Sequence, residues 1–198
     1  MHFLRSTCVF QRAMASLLVG VLCLGLSFGG HTATIEDVEF SDQTTVDGRE
    51  LRLAGLARLY YKVIFTGAVA GLYLDDRQHL DNVLANVPKR LEFVYFGGLD
   101  AEDFVEAANE SLARNLNAEQ LERFSQEIDR FNSLYVDIEK NDRYAISYIP
   151  GGGLRLAHNG EELGEVGDAE FAAAYFTIWF GDKPFNSHLK TSLLEGDI

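Results

Sequence analysis

The chain has 198 residues, with 30 acidic against 17 basic side chains and a formal net charge of -13. That length fits one globular domain with a short appendage, and 47% apolar and 12% aromatic residues are ample for a packed core. The acidic balance lacks the footprint of a nucleic-acid or anionic-membrane binder, and three prolines without a low-complexity run argue against a disordered tail.

The first 33 residues carry Arg5 and Arg12 and no acid, and no charge falls between Ala13 and Gly30. This is the layout of a signal peptide. The apolar stretch Ala13 to Phe28 would span about 24 Å as a helix, short of the ~30 Å hydrocarbon core, so a cleaved leader is expected rather than a stable membrane span. Cleavage after Gly29 leaves small residues, Ser27 and Gly29, at the expected positions, whereas a cut after Ala33 puts His31 at an awkward one. Both cysteines, Cys8 and Cys23, lie in the leader, so thiol chemistry is excluded from residues 34–198, the expected domain. Cys23 as a lipidation site is disfavoured by the bulky Leu22 before it. A soluble periplasmic protein is the expectation.

From Thr34 onward neither a linker nor a repeat divides the chain. Glu50 to Leu74 is almost unbroken in apolar character, which predicts two consecutive strands buried on both faces, with bends or close approaches at Gly55, Gly67 and Gly71. Lys89 to Phe96 alternates, with Leu91, Phe93 and Tyr95 on one face. Asp100 is placed to cap a helix with Phe104, Ala108, Leu112 and Leu116 on its apolar stripe, and Asn117 with Gln120 forms a capping box before a second helix carrying Leu121, Phe124, Ile128 and Phe131. Arg143 to Ile149 again alternates, with Tyr144, Ile146 and Tyr148 on one side. Asn159-Gly160 between two strands predicts a two-residue hairpin turn. Asp168 opens a largely buried helix that ends at Gly181. This order predicts an α+β fold in which helices are layered on an antiparallel sheet.

Sequence signatures of hydrolase, zincin, P-loop and dinucleotide sites are lacking: there is no G-x-S-x-G, H-E-x-x-H, G-x-x-x-x-G-K-[ST] or G-x-G-x-x-G after a strand. Gly151-Gly152-Gly153 reads as a strand connection. The histidines lack ligand spacing, so neither a metal nor a cofactor is expected, and the pairs Glu161-Glu162 and Asp75-Asp76 read as solvated turns rather than acid/base machinery. More informative is a polar minority in the apolar strands: Arg58, Tyr60, Tyr61 and Lys62, with Tyr73 further on, where alternation puts Arg58, Tyr60 and Lys62 on one face and Tyr61 on the other. Such groups need an internal partner or an anionic ligand group, although Lys62 can also snorkel to water. Asn109, on the polar shoulder of the first helix, is the remaining candidate.

The stretches ELRLAGLARLYYKVIFTGAVAGLYL, VPKRLEFVYF, AEDFVEAANESLARN, DRYAISYIPGGG and NGEELGEVGDAEFAAAYFTIWFGDKP, in this order and spacing, resemble the bacterial chalcone isomerase-like proteins from about Val38 to Leu194. The resemblance implies an open-faced β-sandwich, a large antiparallel sheet covered on one face by helices, with a ligand cleft between them. It implies two precedents: ring closure of a chalcone, and non-catalytic binding of fatty acids through an arginine and a tyrosine. The chain departs from the family pattern. The usual arginine falls at Tyr60 and the available one is Arg58, the usual second tyrosine falls at Ala68, and the helix tyrosine of the plant enzyme corresponds to Phe104. These departures point away from chalcone cyclisation, so no catalytic residue is assigned. The expected function is binding of a small apolar or amphipathic ligand, such as a fatty acid, through Arg58, Tyr60, Lys62, Tyr73 and Asn109. The alternatives are an isomerase or intramolecular lyase on another substrate, with Arg58 or Lys62 stabilising developing charge, and a structural or partner-binding domain.

Overall fold

The computed structural model describes residues 32–61 and 65–196. The expected leader, up to residue 31, and Lys62 lie outside the described residues. Seven antiparallel strands form one meander in chain order: β3 (Gln43–Val46), β4 (Arg49–Tyr61), β5 (Phe65–Leu74), β6 (Lys89–Tyr95), β7 (Arg143–Tyr148), β8 (Leu154–His158) and β9 (Glu161–Val166). Before them β1 (Thr32–Ile35) and β2 (Val38–Ser41) make a separate hairpin. The helices are α1 (Ala101–Asn115), α2 (Ala118–Arg123), α3 (Ser125–Asn132), α4 (Ala169–Phe180) and α5 (Ser187–Glu195). The first described strand begins at Thr32, two residues ahead of the expected domain boundary.

Sequence chemistry accounts for most of these boundaries. Asn159 and Gly160 both have positive φ, 51° and 86°, as the expected two-residue turn between β8 and β9 requires. Asp168 accepts from the amides of Glu170 and Phe171, and Asn117 and Gln120 close a reciprocal capping box at α2. The expected second helix is broken in two at Phe124, whose backbone (φ -97°, ψ 8°) leaves helical geometry while its ring is buried against Phe171 at 5.9 Å. A further helix, α5, follows the one that was expected to close the chain. Asn186 caps its N-terminus and Gly196, at φ 71°, ends it in the left-handed region.

The main core lies between the sheet and the helices. Leu91, Phe93, Tyr144, Ile146 and Tyr148 rise from the sheet toward Leu112, Phe131, Phe171, Phe176 and Leu189. The opposite face is not bare. The β1–β2 hairpin covers part of it, with Phe40 fully buried beside Leu53, Val69 and Tyr73. A bulge in β4 between Leu53 and Gly55 changes which residues face which core: Leu51 and Leu53 belong to the outer cluster, whereas Ala57 and Leu59 belong to the helix side.

Gly55 fixes how closely α5 approaches β4. A Cβ there would stand 2.1 Å from the carbonyl oxygen of Leu193, a backbone atom that can move only with the whole helix. Asn115 ties the other helices together, donating to the carbonyl of Lys183 at 2.8 Å and accepting from its amide at 2.9 Å. Gly55→Ala is expected to displace α5 and to lower thermal stability by about 2 kcal/mol, the scale of an overpacked core. Thermal denaturation followed by circular dichroism checks this, and an unchanged midpoint refutes it.

At the end of the helix-side core opposite Tyr95, Lys89 is 1% exposed. Its Nζ donates to the carbonyl of Ala85 at 2.7 Å and lies 5.1 Å and 5.3 Å from the ring centres of Tyr148 and Phe176, with no carboxylate paired to it among the described residues. Burial pulls its pKa down to about 8 from the ordinary 10.5. As pH rises, the folded chain releases this proton first and the unfolded chain holds more protons, so stability increases between the two values. The expected gain is about 2 kcal/mol between pH 7 and pH 9.5. Above pH 10 the buried tyrosines act with the opposite sign, since their folded-state pKa values are raised. Urea denaturation at pH 7 and 9.5 tests this. Lys89→Met should be more stable than wild type at pH 7 and show a flatter rise; equal wild-type stability at the two pH values contradicts the assignment.

Candidate functional site

A cleft of about 780 Å³ opens between the sheet and the helices. Its floor comes from β4, β6 and β7, where strand alternation directs Leu59, Phe93, Tyr95, Tyr144 and Ile146 to the helix side. From α1, Phe104 and the small Ala107 and Ala108 form the roof, and Ile178 and Trp179 of α4 close the inner end. The Gly97-Gly98 turn and Phe185 stand at the rim. Tyr60, Leu99 and Phe185, all large and exposed, border this one opening.

The wall is aromatic and mutually braced. Phe104 stacks on Tyr135 with centroids 5.3 Å apart and planes 9° apart, while Tyr144 meets both edge-on at 5.2 and 5.5 Å. Tyr95 meets Phe104 edge-on at 5.5 Å and stacks beside Phe93 at 5.9 Å, and Trp179 lies tilted 6.1 Å from Phe93. Such offset and edge-to-face pairs add to burial and hold the rings in place.

Hydrogen bonding sorts the hydroxyls into two classes. Tyr144 is fully engaged, donating to the carbonyl of Val136 and accepting from its amide. The Tyr175 hydroxyl donates to Asn132 Oδ1 at 3.0 Å, so the 3.3 Å contact between Tyr135 and Tyr175 takes its proton from Tyr135. Among the described residues the Tyr95 hydroxyl and the Trp179 indole N–H have no such partner, and both residues line the cleft. Burial raises the pKa of Tyr95, Tyr135, Tyr144 and Tyr175, which keeps all four neutral in the physiological range.

The structure brings Arg58 and Tyr60 together along one groove and disperses the other described candidates. Tyr60 borders the cleft, 37% exposed. Arg58 faces away from it: Nε pairs with Glu36 at 2.6 Å, and the side chain lines a separate groove with Leu56, His188 and Glu195. The pairing with Glu36 also holds its pKa up. Tyr73 lies on the opposite face of the sheet in the Phe40 cluster, where burial and then Glu92 push its pKa up. Asn109 is exposed and accepts from Asn132 Nδ2 at 2.9 Å, so it touches the cleft only through the chain Asn132, Tyr175, Tyr135. Lys62 belongs to the residues left undescribed. Among the described residues no lysine or arginine lines the cleft.

Tyr95, Tyr135 and Trp179 were not among the sequence candidates. Tyr95 and Tyr144 read as core because strand alternation sends them inward, and that same direction puts them on the cleft floor. Nothing in the local sequence distinguishes Tyr135, which follows α3 in an irregular segment. Phe104 stands in the cleft wall without a hydroxyl, and Ala68 is buried on the helix side of β5.

By sequence, no curated protein matches the chain. A family described as chalcone isomerase-like matches residues 32–195. Among solved structures, the fatty-acid binding protein of Arabidopsis thaliana is similar with a TM-score of 0.62 at 16% identity, covering 83% of this chain and 96% of that one. At that identity the likeness concerns the fold, and it agrees with an antiparallel sheet carrying helices over one face. With the match extending across nearly all of the described residues, the chain belongs to the chalcone isomerase-like family.

Proposed function

We propose that this protein is a non-catalytic binder of a small apolar or amphipathic ligand of the fatty-acid kind, exported to the periplasm after removal of its leader. The observation that carries the reading is the cleft itself. About 780 Å³ of space walled by aromatic rings, with few polar groups, is the form of a site that gains affinity by burying apolar surface at about 25 cal/mol per Å². The fold neighbour described as a fatty-acid binding protein supports it, as does the presence of Phe104 where the plant enzyme has a hydroxyl. The leader's charge pattern supports export, and β1 beginning at Thr32 favours cleavage after Gly29, since a cut after Ala33 would remove half of that strand.

Displacement of a polarity-sensitive dye by saturated fatty acids of graded length, with mass spectrometry of copurified lipid, tests the binding. Ala107→Trp puts an indole into the cleft from α1 and is expected to weaken binding at least about tenfold while the fold persists. Dye and lipid binding that survive this change unaltered would place the site elsewhere. Intact-mass analysis of the protein recovered from a bacterial periplasmic fraction is expected to give Gly30 as the first residue; recovery of the full-length chain from the cytosol contradicts export.

A further inference from the structure

We infer that the cleft recognises an uncharged hydrogen-bond acceptor, a carbonyl or ester oxygen or a protonated carboxylic acid, through the Tyr95 hydroxyl and the Trp179 indole N–H, and discriminates against a carboxylate. This rests on the reading of the cleft as a site for an apolar or amphipathic ligand and narrows that ligand's head group from an ionised fatty acid to an uncharged acceptor.

The polar inventory of the cleft carries the inference. Tyr144 and Tyr135 have their protons committed to Val136 and Tyr175, which leaves Tyr95 and Trp179, each in ring contact with Phe93, as donors on the wall among the described buried residues. Tyr95 is 9% exposed and Trp179 8%, so a group bonded to them is largely out of water. A carbonyl oxygen offers lone pairs to neutral donors and loses little hydration. A carboxylate there would give up most of its hydration with no lysine or arginine among the described residues of the cleft to replace it. Arg58, the cation expected to supply a countercharge, is held by Glu36 on the other side of Tyr60. Among the described residues the acidic or basic side chain at the mouth is a carboxyl group, Asp103, whose Oδ2 accepts from the Asp100 amide at 3.1 Å. The four cleft-side and adjacent tyrosines stay protonated, so they donate or accept as neutral groups.

The test compares 2-tridecanone, dodecanoic acid and dodecane as competitors for a bound dye, at pH 8 and at pH 5. The ketone is expected to bind at least about tenfold more tightly than dodecanoate at pH 8, the difference narrowing at pH 5 as the acid becomes protonated. Tyr95→Phe should weaken the ketone about five- to tenfold, the value of one hydrogen bond, and leave dodecane unchanged. Trp179→Phe gives the same readout should the first variant fail to fold. Dodecanoate binding as tightly as the ketone at pH 8, or a ketone affinity indifferent to both substitutions, overturns the inference while leaving the binder reading intact. Failure of all three compounds to displace the dye overturns both.

Discussion

A missing side chain at Gly55 sets the height at which α5 rests on the sheet and so fixes the layer of helices over the early strands. With backbone against backbone at Leu193, the helix is seated firmly over the early strands. Buried Ala54, Ala57, Ala68 and Ala70 give this side of the sheet a low profile. On β6 and β7 the residues facing the helices are large, and Phe93, Tyr95 and Tyr144 meet Phe104 of α1 and Trp179 of α4 through ring edges and faces. Rings braced in this way cannot fold inward to fill the space between them without giving up their mutual contacts. The hollow is thus a product of unequal side-chain size across one sheet face, and Phe185 at its rim is held by its amide, which donates to the carbonyl of Ile178 in α4 at 2.7 Å.

Polar groups in this interior are governed by what they have already bonded. The path from exposed Asn109 through Asn132 and Tyr175 to Tyr135 satisfies each member in turn and spends its protons within the protein. On the outer face Glu92 takes Arg90 and Arg143, and Arg143 also donates to the carbonyl of Glu39 while its guanidinium lies 5.2 Å from the Phe40 ring centre. That arrangement fastens the β1–β2 hairpin to the sheet and leaves the cations there neutralised by carboxylate. The groups free to meet a guest are those the internal network does not reach.

Much of this fold was legible in the sequence because period and capping are local properties. Alternation located β6 and β7, Asn159-Gly160 located a turn, Asn117 and Asp168 open helices through their side-chain oxygens, and Asp100 stands at the N-cap of α1 with its amide donating to Asp103. What escaped is set by contacts distant in the chain. Strict alternation placed Arg58 and Tyr60 on one face, and both do line the groove that His188 of α5 borders; what alternation could not show is that Tyr60, beside the register shift that leaves Gly67 as the extra residue on β5, also borders the cleft while Arg58 does not. The partner of Arg58 lies 22 positions away in a hairpin that has no strong local signal. Tyr73 was legible as buried but not as belonging to the outer face, because the bulge after Leu53 resets the pairing of β4 with β5.

The same strand that supplies Tyr95 also carries a buried cation, and the distance between them decides what each does. Lys89, Leu91, Phe93 and Tyr95 share the helix side of β6, so six residues at about 3.3 Å each put roughly 20 Å between the ammonium's strand position and the hydroxyl's. Over that distance Lys89 cannot bond to a head group at Tyr95, and its ammonium is already engaged with Ala85 and two rings. Its burial lowers stability below pH 8 without providing a charge to the cleft. The interior of β6 therefore runs from a dry end that tolerates one committed cation to an open end that offers neutral donors, and a guest entering at the rim meets only the latter.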